Sequence, residues 1–101
     1  MSVAGDYCFM PIFIVSFDLD RIGSNYSAIR KRLVGLNALQ AQGSVWFIKH
    51  EGSADELREH LQECLDHNDR LFVAMINGNW SGYNIGAPGR WLKEQVPASC
   101  D

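Results

Sequence analysis

The chain has 101 residues, enough for one domain with a single core and too few for two. Its 47% apolar and 21% charged residues exclude the disordered class, and no run approaches the roughly 20 consecutive apolar residues that span a membrane. A net charge of -3 argues against strong non-specific attraction to polyanions, although a local basic patch is compatible with it.

Residues 1–9 carry no hydrophobic period and read as a flexible N-terminal extension. The domain runs over residues 10–96, and residues 97–101 form a tail. The N-terminus has no basic segment ahead of an apolar core, so a secretory signal is not expected. Three cysteines, Cys8, Cys64 and Cys100, are an odd number without metal-ligand spacing, as expected of reduced thiols in a cytoplasmic protein.

Residues 11–20 form the first predicted strand, a run of β-branched and aromatic side chains that ends in carboxylates. Its period of two puts Phe13, Val15, Phe17 and Leu19 on one apolar face. Ile12, Ile14, Ser16 and Asp18 make a second face that turns polar toward its end. Residues 21–25 form a turn with Ser24 or Asn25 available as helix N-cap. Tyr26, Ile29, Leu33 and Leu36 then recur at helical spacing, and Gly35 places the helix end nearby.

Residues 37–42 read equally as a short strand or as more helix, broken in either case by Gly43. Residues 44–49 are a strand apolar on both faces. Ser53 to Glu56 has the capping-box pattern ahead of a helix that turns Leu57, Leu61 and Leu65 inward. Asp66 to Asp69 leads into a strand over 71–76. A glycine-rich loop follows, and Pro88 can open a short last helix through Trp91 and Leu92.

This order predicts an α+β sandwich of ferredoxin type, β-α-β-β-α-β, with a C-terminal loop and short helix. Two amphipathic helices cover one face of a sheet. The other face is apolar too, so it needs a second cover. The C-terminal segment with Trp80, Tyr83 and Trp91 supplies part of it. A homodimer through the sheet faces, using Ile12, Ile14, Ser16, Trp46 and Ile48, is the expected remainder.

Residues 14–19, Asn25-Tyr26 opening a helix, Ser44-Val45-Trp46 and residues 68–73 together resemble the small SinR-like bacterial proteins. These are similar in turn to the ferredoxin-fold subunit of CRISPR adaptation complexes and to virulence-associated ribonuclease toxins. The likeness runs from about Met10 to Trp80, and residues 79–83 fit the SinR-like tail. It implies a dimer connected with nucleic acid, DNA or RNA, and places Asp18 at the dimer twofold, where the related subunit can hold a divalent metal.

Two carboxylates about 4 Å apart repel by about 4 kcal/mol at an effective dielectric near 20. Mg²⁺ or Mn²⁺ relieves that repulsion and can activate water against a phosphodiester. Asp18 is then the candidate catalytic and metal-binding residue, with Asp20 an alternative ligand. The competing reading makes both of them solvated strand-end acids. Arg21, Arg30, Lys31 and Arg32 are candidate phosphate contacts, and Trp80 and Tyr83 candidate base-stacking residues. Three functional readings follow: a nucleic-acid-binding dimer, a metal-dependent nuclease, and a structural or regulatory dimer that binds protein. His60 and Cys64 lie four apart, but nothing completes a zinc set, and Cys64 reads as a small core hydrophobe.

Overall fold

Seven elements form over residues 11–96, the part of the chain that the structure, a computed structural model, describes. They are β1 (Ile12–Asp18), α1 (Ser24–Gly35), β2 (Leu39–Gln42), β3 (Val45–Lys49), α2 (Ala54–Gln62), β4 (Arg70–Ile76) and α3 (Gly86–Gln95). The extension and tail predicted at residues 1–9 and 97–101 lie outside the described residues. The strands make one sheet in the order β2-β3-β1-β4, with every neighbouring pair antiparallel. This small α+β architecture is compatible with the ferredoxin-like expectation.

Local chemistry sets the element ends. α1 begins at Ser24 behind Gly23, so neither Ser24 nor Asn25 acts as its cap, and the Asn25 side chain is used elsewhere. α1 closes at Gly35. Asn37 takes a left-handed φ of 63°, and the amides of Asn37 and Ala38 donate back to Val34 and Leu33. This pattern satisfies the last helical carbonyls and reverses the chain, and it resolves the ambiguity at residues 37–42 in favour of a strand. α2 opens on a complete capping box: the Glu56 amide donates to Ser53 Oγ, and the Ser53 amide donates to Glu56 Oε1. It ends at Gln62, so Leu65 packs on the core from the following turn.

The sheet separates two apolar clusters. On one face Phe13, Val15 and Phe17 pack with Trp46, Ile48, Ile29, Leu33, Leu57 and Leu61, under α1 and α2. On the other, Ile12 and Phe47 pack with Leu92 and Val96. α3 therefore covers β2, β3 and the start of β1, which two helices alone left bare.

The register divides the five residues expected at a dimer face between the two sides of the sheet. Trp46 stands opposite Val15 and Ile48 opposite Phe13, so both belong to the helix-covered face and are buried. Val45 and Phe47 are the β3 residues that share a face with Ile14 and Ser16. Ile12 is fully buried inside the chain. Only Ile14 and Ser16 of the five expected interface residues stay partly accessible on that face.

Leu92 fastens α3 to the sheet and is 2% exposed. Leu92→Ala removes that packing and is expected to cost about 2–5 kcal/mol in urea unfolding. A loss under about 1 kcal/mol would mean that α3 is not held to the sheet in solution.

Candidate functional site

Most of the sequence-predicted site residues fall in three regions, two of them adjoining at α1 and the third on the opposite face of the sheet. The first is a hydrogen-bonded junction between the β1–α1 turn and the α2–β4 turn. Asn25, 6% exposed, is the buried polar residue there. Its Oδ1 accepts from the amides of Gly23 and Tyr26, both at 2.9 Å. Its Nδ2 donates to the Arg21 carbonyl at 3.0 Å and to Asp69 Oδ2 at 2.9 Å. Asp69 in turn accepts from the amides of Asp20 at 2.9 Å and Asp66 at 2.8 Å. The Asn25 hydrogen bond first, and the two backbone amides after it, hold the Asp69 carboxyl below its ordinary value of 3.8. Neither residue was a candidate from single-residue chemistry, although both lie in the stretches that carry the family resemblance. Here they tie two loops together.

The second region is basic. α1 contains Arg30, Lys31 and Arg32 and no acid. Arg32 is already engaged: its Nη1 donates to the His60 carbonyl at 2.8 Å and to Glu63 Oε1 at 2.9 Å, tying α1 to α2. Arg30 and Lys31 are exposed and form no ion pair among the described residues. Arg21 is exposed in a shallow depression shared with Asp20, Asp66 and Asp69, surroundings that oppose an incoming phosphate.

The third region is the part of the sheet that α3 leaves open. The β1–β4 register places Phe72 opposite Ser16 and Ala74 opposite Ile14, on one face. Phe72 is 64% exposed. Beside them lies an apolar groove of about 430 Å³, bounded by Ile14, Val45, Ile76, Trp80 and Tyr83. Tyr83 is 93% exposed at its rim. Trp80 is half-buried and donates its Nε1 hydrogen to the Val96 carbonyl at 3.2 Å, so its ring is part of the α3 packing. The 80–85 loop is also the wall of a second cleft, of about 410 Å³, rimmed by Arg90 and Lys93. Packing explains the glycines of this loop. A Cβ on Gly82 or Gly89 would come within 2.5 or 2.6 Å of the Ile85 side chain.

Phe72, Arg70, Arg90 and Lys93 are not singled out by the sequence alone. The period of two in residues 70–76 is the available signal, since it puts Phe72 on the face of Ile14 once β4 is paired with β1.

Asp18 is exposed at the end of β1, and its register partner on β4 is Arg70. Asp20 lies beyond the strand, with its amide bound to Asp69. No group of three His, Cys, Asp or Glu side chains among the described residues is arranged to hold a metal ion. One carboxylate facing an arginine is a poor donor set for Mg²⁺ or Mn²⁺, so these residues do not by themselves fit the metal that the resemblance implies. Cys64 is a half-buried free thiol packed against the core.

Two measurements check the junction. Asn25→Ala strands buried donors and acceptors and is expected to lose about 1–3 kcal/mol. The Asp69 carboxylate is favoured by folding, so its contribution is complete above the ordinary aspartate value of 3.8 and disappears as the pH falls through the lower folded value. The melting temperature of the parent chain should therefore drop more steeply below that pH than that of Asp69→Asn. Parallel curves would remove Asp69 from this role. No protein-family model matches the chain.

Proposed function

We propose that the chain is a ferredoxin-like, SinR-like nucleic-acid-binding domain that takes single strands on the open part of its sheet. One observation carries this reading. Exposed Phe72 and Tyr83 stand on an apolar surface that continues, across the 80–85 loop, into a cleft rimmed by Arg90 and Lys93. An aromatic platform accepts the face of any unpaired base, and flanking cations accept the phosphates between bases. Duplex DNA stacks its bases internally and offers neither ring faces nor a narrow enough backbone for such a groove.

The charge pattern supports the same side of the molecule. α2 carries Asp55, Glu56 and Glu59, followed by Glu63, against a single Arg58. α3 carries Arg90 and Lys93 against Glu94 alone. A polyanion is repelled by α2 itself and attracted by α3. The free α1 cations, Arg30 and Lys31, lie on a helix of the opposite layer and offer a weaker second contact now that Arg32 is engaged by Glu63.

Fluorescence anisotropy with a labelled single-stranded oligonucleotide, over a salt series, tests the assignment. Tyr83→Ala is expected to weaken binding by about 1–3 kcal/mol, roughly fivefold to 150-fold. Reversal of Arg90 and Lys93 to glutamate should weaken it further and flatten the salt dependence by about 0.7 log unit for each phosphate no longer neutralised. If only Arg30→Glu with Lys31→Glu reduces affinity, the binding surface is α1 and the sheet assignment is wrong. If the parent chain binds no oligonucleotide at low salt, the structural or regulatory reading takes its place.

A further inference from the structure

Among the described residues β4 is an outer strand, and its free edge lacks the features that keep sheet edges from pairing. The opposite outer strand, β2, is only four residues long, carries Gln40 and Gln42, and has a register shift between them. Short length, polar side chains and irregularity are the usual protection of an edge. β4 is seven residues long, and from Leu71 to Ile76 it contains no charge, proline or glycine. Its pairing with β1 is regular along the whole strand. Large apolar side chains are exposed on both of its faces, Phe72 at 64% on the open face and Met75 at 63% on the helix-covered face.

We propose that two copies of the chain pair antiparallel through β4, joining their sheets into one of eight strands. The register that engages the whole strand is centred on Val73. It sets Phe72 against the partner's Ala74, a large side chain against a small one, and Leu71 against the partner's Met75. Antiparallel neighbours directly opposite one another point to the same face, so each pair covers apolar surface that a single copy leaves exposed or half-exposed. Antiparallel pairing also puts the two Arg70 residues, the only charges on β4, at opposite ends of the seam. Parallel pairing would set them side by side. A twofold axis normal to the sheet keeps the open faces of both copies on the same side, so Phe72 of each copy flanks a single seam. The pairing does not depend on nucleic acid and differs from a face-to-face dimer, which leaves Met75 outside the interface.

Sedimentation equilibrium of the 101-residue chain across a wide concentration range, without nucleic acid, tests the proposal. The parent chain should sediment as a dimer, and Met75→Lys or Phe72→Lys should raise the dissociation constant about tenfold or more, as charges on edge strands do. Both positions are exposed, so the dilute variants should keep the parent circular dichroism spectrum. Hydrogen exchange on the parent chain gives a reading independent of any variant: the outward β4 amides should gain protection as the concentration rises. A parent chain that stays monomeric, a dimer that Met75→Lys leaves intact, or β4 amides whose exchange ignores concentration would each overturn the proposal. Loss of the dimer in Met75→Lys with unchanged oligonucleotide binding separates this inference from the functional assignment.

Discussion

A sheet that is apolar on both faces is the constraint from which the rest of this structure follows. β1 shows it most plainly, with Phe13, Val15 and Phe17 alternating against Ile12 and Ile14. Burial of such side chains is worth roughly 1.5–3 kcal/mol each, so neither face can stay in water over a large area. α1 and α2 enclose the first face. The second face is enclosed only where α3 reaches, over β2, β3 and the beginning of β1. What α3 does not reach is the β4 side, and the accessible apolar groups of the second face gather there. The uneven cover is therefore the source of the open sheet surface, while the β4 edge, with Met75 on the helix-covered face, is accessible because β4 is outermost among the described strands.

The elements that hold this arrangement are small and specific. Leu92 and Val96 bury themselves against Ile12 and Phe47, and the Trp80 indole N–H reaches the Val96 carbonyl to fix the loop against the end of α3. Ile85 occupies the space that Gly82 and Gly89 leave for it. At the opposite end of the sheet, Asn25 and Asp69 supply the side-chain hydrogen bonds that join the β1–α1 and α2–β4 turns. A buried amide and a carboxylate in one network have a single satisfying arrangement, so the junction sets where α1 starts as well as holding β4 beside β1.

Charge is sorted by helix. Acids concentrate on α2, and the cations without close acidic neighbours lie on α1 and α3. Arg32 is the exception that joins two helices of one layer, since Glu63 and the His60 carbonyl draw it toward α2. The same ion pair removes one member from a cluster that looks uniform as a string of three basic residues. Asp18 changes meaning in a similar way. Alone at a strand end it is a candidate ligand; across from Arg70 it is one half of an opposite-charge pair of register neighbours.

Local and periodic information was enough for the elements other than β2, whose residues read equally as strand or helix. The alternation in residues 12–18, the capping box at Ser53 and Glu56, the regularly spaced leucines of α2 and the proline at position 88 each act within a few residues, so they are legible without knowing the fold. The two-sided apolar character of β1 also announced that a second cover was required. Partners far apart in the chain decided everything else. Whether Trp46 or Phe47 faces the helices depends on pairing with β1, because one step along a strand exchanges its faces. That Asn25 meets Asp69, 44 positions away, and that Arg32 meets Glu63, depends on how the turns and helices dock. The exposure of Phe72 and Met75 depends on how far α3 extends and on β4 being outermost. Periodicity assigns a side chain to one of two faces; only the assembled sheet determines what, if anything, lies on top of it.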